Sequence, residues 1–241
     1  MSDSDERQQQ ILDAAAAVIV RQGYDKTTMG DIAEEAGASR GTVYLYFKGK
    51  EELFEALLYR EYMEYSKTWL EQIEADPRGG TVGGFYRALF HSVNSRPLVA
   101  AMQRRDRRVL GNYLRKRDNL FARMESGVNT AEFFRALQAA GAIRQDIDPA
   151  VILHIVEMLS YGQLTIGDFK APDQFPPYEA VMEAMADMMD RALRPEGAGN
   201  GEAGKAIIRQ ITAAARAQLE QIKQAEDNHQ AKRQEATHDN R

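Results

Sequence analysis

The sequence has no cysteine and a single tryptophan among its 241 residues. Without thiols there is no disulfide framework and no thiolate metal site, and the chain suits a reducing compartment. No window holds the roughly 18 consecutive apolar residues of a membrane-spanning helix. The opening MSDSDERQQQ is polar and acidic where a signal peptide would carry basic charge and an apolar run. A cytoplasmic protein with no membrane partner is therefore expected. Alternation of apolar and polar residues bounded by turn signals, the mark of a half-buried strand, is almost lacking. Catalytic signatures are lacking too. RGGTVGGF, residues 78–85, misses the Gly-Lys-Ser/Thr ending of a phosphate loop and follows no strand. His154 and Glu157 stand one helical step apart with no second histidine nearby to make a metal site. With no nucleophile motif either, no enzyme, no metal and no cofactor are expected. The formal charge of −5 argues against coating nucleic acid by charge alone, and leaves room for a small reading face on an acidic body.

What the chain does have is helical spacing. Apolar residues, 44% of the total, recur at three- and four-residue intervals nearly everywhere, which predicts an all-α fold with a real core. A first helix is expected over 5–22, with Ile11, Leu12, Ala15, Val18 and Ile19 on neighbouring rows and Gly23 as its stop. One long helix follows Gly49, with Glu51 and Glu52 in its first turn, and ends at DPRGGTVGG. Further helices are expected over 81–95, 97–105, 107–125 and on to 140, 149–167 and 178–193. Asp148 and Pro149 form a cap followed by the proline favoured at the first helical position.

Between Thr28 and Phe47 the pattern is a short helix, a tight turn and a second short helix. Thr28 and Asp31 make a capping box for the first, and Ser39 caps the second. Ile32, Ala33 and Ala36 form one inner side, Val43 and Phe47 the other, and Gly37 stands where the chain must turn. The outer side of the second helix carries Gly41 and Leu45, flanked by Thr42 and Tyr44, with Tyr46 nearer the edge. Such a face fits a major groove. Gly41 permits close approach, Thr42 and Leu45 suit thymine methyl groups, and tyrosine hydroxyls reach phosphates or base edges. Arg40 has the fork that binds guanine in a bidentate fashion. Lys48 and Lys50 are placed to neutralise phosphates, and the helix N-termini near Thr28 and Lys50 offer free amides to others. The same helix pair also serves in purely structural bundles, where exposed tyrosines and lysines are a solvated face.

The stretch TTMGDIAEEAGASRGTVYLYFKGKEELF, residues 27–54, resembles the DNA-binding region of the TetR family of one-component transcriptional regulators. The threonine pair, the IAEEAG helix, the GTVYLYF recognition helix and the following KEEL carry the likeness, which runs from about Gln10 to Leu58. It implies that Thr28 and Lys50 clamp phosphates, that Arg40, Gly41 and Thr42 face bases, and that Tyr44 and Tyr46 contact the backbone and adjacent bases. Met29 matches a position that also reaches a base, here through apolar contact. The implied plan is a helix-turn-helix domain over 1–49, a helical regulatory and dimerisation domain over 50–194, a Gly-rich linker over 195–204 and a helical C-terminal extension over 205–241, frayed at its end. The implied partners are a double-stranded DNA operator, a small-molecule effector that releases it, and a second copy of the chain. The competing class is a helical interaction protein of the same fold without specific DNA reading.

Helix bundles hold ligands between helices in apolar cavities with a few polar groups. Trp69, Phe90, His91, Met102, Arg105, Phe121, Phe133 and Tyr161 are candidates for such a site, each of which also suits ordinary core or a structural hydrogen bond. Ile152, Ile155 and Leu159 on one helix and Val181, Met185 and Met189 on another offer apolar stripes for dimerisation. RRDRRVLGNYLRKR, residues 104–117, holds seven basic residues and one acid, a local charge of +6. It fits a solvated face, the flank of an anionic ligand, or a neighbour of DNA. The tail after residue 204 carries a heptad-like stripe of Ile208, Ile211, Ala215, Leu219 and Ile222, suited to a second dimer contact or to a marginal helix in solvent.

Overall fold

The computed structural model describes residues 3–124, 131–196 and 199–238, and every regular element among them is helical. In chain order these are α1 (Asp3–Gln22), α2 (Met29–Glu35), α3 (Arg40–Tyr46), α4 (Lys50–Ala75), α5 (Val82–Asn94), α6 (Pro97–Arg104), α7 (Arg107–Leu110), a 3₁₀ turn Gly111–Arg115, α8 (Leu120–Met124), α9 (Ala131–Ala139), α10 (Pro149–Thr165), 3₁₀ turns Ile166–Asp168 and Pro172–Gln174, α11 (Tyr178–Leu193) and α12 (Gly201–His238). The expected caps are in place. Asp148 accepts the Ala150 amide at 2.8 Å ahead of Pro149, and Glu51 and Glu52 occupy the first turn of α4.

Helix α4 joins two cores. Its first half sends Leu53, Phe54, Leu57 and Leu58 into a cluster with Ile11, Ile19, Ile32 and Val43 of α1–α3 and Leu98, Met102, Tyr113 and Phe121 from the body. Its last turns send Ile73 into a second cluster with Tyr86, Phe90, Phe134, Ile152 and Met182. An unbroken helix of 26 residues spans about 39 Å, so the small N-terminal bundle and the body share a stiff axis.

Three expectations change. The helix expected over 107–125 is broken after Leu110, because Gly111 turns to φ +54° and the Asp25 carboxylate takes the Asn112 amide at 2.9 Å. The chain resumes at Leu120, whose amide donates to the Tyr113 hydroxyl at 2.9 Å while that hydroxyl donates to Glu55 at 3.0 Å. Residues 125–130 of the expected run lie outside the described residues. The Gly-rich linker is shorter than 195–204, since α12 starts at Gly201 with Asn200 accepting the Ala203 amide at 3.0 Å. At Gly80 and Gly204 an added Cβ would collide with the carbonyls of Gly201 and Gly80 respectively. These glycines let backbones touch rather than supply flexibility.

The extension is likewise not a separate solvated helix over its first 25 residues. It runs along α4, placing Ile208 in the upper core and Leu219 in the lower one. Lys205 Nζ donates to the Glu74 carbonyl at 3.2 Å, Arg209 pairs with the Glu74 carboxylate, and Lys223 lies 4.6 Å from the centre of the Tyr59 ring. The expected fraying concerns the last residues, of which 239–241 lie outside the described ones. By length and mean hydropathy alone Pro149–Asp168 is apolar enough to cross a bilayer, although His154 and Glu157 keep it from being a consecutive apolar run. Much of this helix is exposed in the single chain, which marks an unsatisfied apolar face.

Two glycines in the N-terminal bundle separate local geometry from docking. Gly37 (φ +58°) has open space around a would-be Cβ, whereas at Gly23 (φ +86°) a Cβ would collide with the Arg108 carbonyl oxygen. Gly37→Ala is expected to cost about 1–2 kcal/mol for the left-handed backbone alone. Gly23→Ala should cost at least about 1 kcal/mol more, because the body must also move. Urea unfolding of the two variants checks this, and equal costs would show that the body is not tightly docked on this turn.

Candidate nucleic-acid interface

The N-terminal bundle is held by its inner faces and its caps. Thr28 accepts the Asp31 amide at 3.2 Å and its own amide donates to the Asp31 carboxylate at 2.8 Å, the reciprocal capping box. Those bonds from Thr28 hold the Asp31 carboxyl below the usual carboxylate range. Arg21 pairs with Glu35 at 2.8 Å and ties α1 to α2. After Ala36 the chain closes through Gly37 N–H to the Glu34 carbonyl (3.1 Å) and Ala38 N–H to the Ala33 carbonyl (2.9 Å), a bond set that needs the positive φ of Gly37. Ser39 then accepts the Thr42 amide at 3.0 Å, and Val43 and Phe47 close the inner side of α3 against the core.

The side of α3 facing away is left bare. Leu45 is 84% exposed and Tyr44 51% exposed, with Arg40 and Gly41 also exposed beside them. Thr42 is half-buried, its hydroxyl 2.9 Å from that of Ser39, and Tyr46 is half-buried against the core. A seven-residue helix that buries one edge and shows an aliphatic and an aromatic side chain on the other gains nothing from water for that display. Its shape suits a groove lined by methyl groups and phosphates.

Not every expected contact residue faces the same way. Met29 is only 8% exposed and packs into the core, so its side chain is not displayed alongside those of α3. Lys50 Nζ is drawn inward, donating to the Tyr24 carbonyl at 3.0 Å and lying 4.4 Å from the centre of that ring. The N-terminus of α4 remains available, since Gly49 supplies no side-chain cap. Lys48 is exposed, with its amide held by Glu52 at 2.8 Å. Thr28 is exposed at the head of α2.

One residue at this site escaped sequence reasoning. Gly30 sits in the first turn of α2 where a Cβ would strike the Arg40 guanidinium. Arg40 therefore lies across α2 instead of swinging free, and a glycine inside a helix was the signal that close approach was needed.

The candidate effector residues do not gather in one cavity. Phe90 and Phe133 are buried in the upper core, while Met102 and Phe121 are buried in the lower one. Arg105 lies 4.5 Å from the centre of the Phe121 ring, and Tyr161 is exposed on α10. Of the eight, His91 lines a cleft of about 360 Å³ with Gln72, Asp76, Arg87, Tyr178 and Met182. Burial would raise the Asp76 carboxyl, but the Arg78 amide and the Arg87 guanidinium overrule it and hold it low. Trp69 is the better pointer to unfinished bonding. Its indole N–H is buried with no acceptor among the described residues, inside an aromatic run with Tyr65 (6.3 Å), Phe85 (5.3 Å) and, beyond it, Phe133.

The apolar stripes are also redistributed. Ile152 and Met189 are buried in the chain's own core, and Val181 and Met185 pack against it, so these four serve the single subunit. Ile155 and Leu159 remain exposed, joined by Val151, Met158 and Phe169 and by Met188 of α11. A charge network centred on the buried Glu61, missed by the sequence reading, runs from α1 to the cap of α6: exposed Asp13 with Arg60 (2.7 Å), Arg60 with Glu61 (2.9 Å) and Arg96 with Glu61 (3.0 Å). Periodicity alone would have placed Glu61 in solvent.

A family model described as "Bacterial regulatory proteins, tetR family" matches residues 11–57, the helices just described. The HTH-type transcriptional regulator YfiR of Bacillus subtilis, itself uncharacterized, is 32% identical over 144 residues, which cover 54% of this chain and 69% of that protein. The fatty acid metabolism regulator protein of Bacillus subtilis is 40% identical over 67 residues, 28% of this chain and 32% of that one. Among solved structures, a candidate TetR-family regulator from Mesorhizobium loti superposes with a TM-score of 0.59 at 24% identity, covering 80% of this chain and 96% of the other. The regulator FadR of Bacillus subtilis in complex with stearoyl-CoA gives 0.54 at 21%, covering 75% and 96%. Both structures share the fold of this chain, small bundle and helical body together.

The two sides of α3 should separate in stability. Val43→Ala is expected to cost about 2 kcal/mol by opening a cavity in a closed core. Tyr44→Ala and Leu45→Ala should each change stability by no more than about 0.5 kcal/mol. Thermal and urea unfolding check this, and a large loss on removing Leu45 would mean that its side chain is structural.

Proposed function

Because the chain belongs to the tetR family of bacterial regulatory proteins, we propose that it is a repressor which occupies a palindromic operator as a homodimer and leaves it when a small-molecule effector enters the helical body. It is a helix-turn-helix transcriptional regulator, acting in the cytoplasm and without catalysis of its own. The observation that carries the DNA-reading part is the bare outer face of α3. Leu45 and Tyr44 are held outward by a helix whose caps and inner side are fully engaged. In this reading Arg40, Gly41, Thr42, Tyr44, Leu45 and Tyr46 meet the groove, and Thr28, Lys48 and the α4 N-terminus meet phosphates.

Dimerisation is supported by the exposed stripe on α10, with Val151, Ile155, Met158 and Leu159, by Phe169 just beyond its end, and by Met188 on α11. A self-complementary patch of this kind forms a two-fold interface, and two-fold symmetry is what reading a palindrome requires, with recognition helices about 34 Å apart. The effector reading is supported by the orphaned Trp69 N–H within apolar rings, which suits a molecule with an apolar body and one acceptor. A coupling of about 1–3 kcal/mol between the two sites would change operator occupancy roughly 5- to 150-fold.

Selection of bound duplexes from a random pool tests this with the full chain. The expected product is a two-fold symmetric site. The Ile155→Glu/Met158→Glu variant should run as a monomer in light scattering and bind that site at least about 100-fold more weakly. An asymmetric site, or no enrichment at all, would overturn the reading.

A further inference from the structure

The basic segment 104–117 is not spread over the body; it is bolted onto the turn that carries the expected phosphate clamps. The Tyr24 amide donates to the Val109 carbonyl at 2.8 Å, and the Asn112 amide donates to the two Asp25 carboxylate oxygens at 2.9 and 3.1 Å. Gly23 packs against the Arg108 carbonyl, and Lys116 pairs with Glu51 in the first turn of α4. Residues 23–28 and the start of α4 are the same pieces that present Thr28 and the α4 N-terminus. The break at Gly111 is what brings the segment there, since a continuous helix from 107 would carry Arg115 and Arg117 away from this turn.

The charges in the segment divide into two sets. Arg104 is spent on the Leu164 carbonyl at 3.1 Å, Arg105 on the Phe121 ring, and Lys116 on Glu51. Arg108 reaches Asp106 at only 3.7 Å with 85% of its side chain exposed. The ion pairs found among the described residues leave Arg107, Arg115 and Arg117, all exposed, without a carboxylate. Asp25 caps Asn112 and Asp106 caps Arg108, while Asp118, exposed beside Arg117, makes no ion pair among the described residues and offsets one of the charges. Guanidiniums without a carboxylate among the described residues, on an otherwise acidic protein, put positive charge beside the turn that carries Thr28 and the α4 N-terminus.

We propose that Arg107, Arg115 and Arg117 form a second DNA-contact surface, supplied by the body and directed at the phosphate backbone flanking the helix-turn-helix. The surface carries no base recognition. It adds affinity and salt dependence, and because it belongs to the effector-binding body, any movement of α6 and α7 relative to α1 alters DNA contact directly as well as through helix spacing. This inference rests on the DNA-reading function proposed above.

The test is the salt dependence of binding to two probes, the selected duplex and a random-sequence duplex of about 40 base pairs, by the full chain. Arg107→Gln/Arg115→Gln/Arg117→Gln should lower the slope of log K against log salt by about 2 to 3 per bound chain, and weaken both probes by at least about tenfold at 0.1 M salt. The ratio between the two probes should stay nearly constant. The charge-preserving Arg107→Lys/Arg115→Lys/Arg117→Lys variant should retain the parent slope. Arg135→Gln/Arg191→Gln/Arg194→Gln, which removes the same charge from the body away from the turn, should leave the slope within about 0.5 of the parent. If the first variant keeps the parent slope, or the remote variant loses as much, the second surface is overturned while the reading of α3 stands. A parent chain that binds neither duplex overturns both.

Discussion

Everything else in the molecule is positioned by the turn after α1, and above all by Tyr24. Its amide is taken by the Val109 carbonyl of the body, and its carbonyl receives the Lys50 ammonium from the start of α4. Its ring lies 4.5 Å from Phe54 and 6.0 Å from Tyr113. Burial, and then the carboxylates of Glu51, Asp25 and Glu55, push its hydroxyl up to about 12, so it stays neutral in this setting. Three pieces of chain that are distant in sequence thus meet on one residue. The small bundle cannot turn on the body without breaking backbone hydrogen bonds, and that constraint is what lets α3 keep a defined direction.

The same constraint suggests how a signal would travel. Helix α4 contributes to both cores, α12 runs back along it and joins both again, and the Glu61 network links α1, α4 and the start of α6. Removing either arginine would leave the buried Glu61 carboxylate with one partner fewer, which is costly. In the proposed reading, an effector bound near Trp69 would act on the last turns of α4, against the second core. The C-terminal helix is a brace rather than an appendage: its Arg209 pairs with Glu74, and its Leu219 lies in the core that carries α3.

Much of this was legible in the sequence because it is set locally. The Thr28 and Asp31 box, the Ser39 cap, the Gly37 turn and the start of α4 at Lys50 each depend on residues within four positions of one another, and each stands as expected. The misses share the opposite property. Helical periodicity continues through 107–117, and only the distant Asp25 reveals that the helix stops. Met29 and Lys50 suit a DNA-facing role by position, yet the neighbouring α1 and Tyr24 claim their side chains. Ile152 and Ile155 look alike in the sequence. One is buried in the core where α10 packs on α9 and the other is left in water, which no single-helix pattern distinguishes. Gly80 reads as a turn residue and Gly204 as a linker residue because flexibility and close approach use the same side chain, a hydrogen atom.

The central claim is that the outward face of α3 reads sequence. Its most direct measurement is the ratio of affinities for the selected duplex and a random duplex of equal length at fixed salt, in the parent and in Tyr44→Ala/Leu45→Ala. The parent should favour the selected site by at least about a thousandfold. The double variant, with an unchanged thermal midpoint, should fall most of the way to the random value. A parent ratio below tenfold, or a double variant that discriminates as well as the parent, would contradict the account.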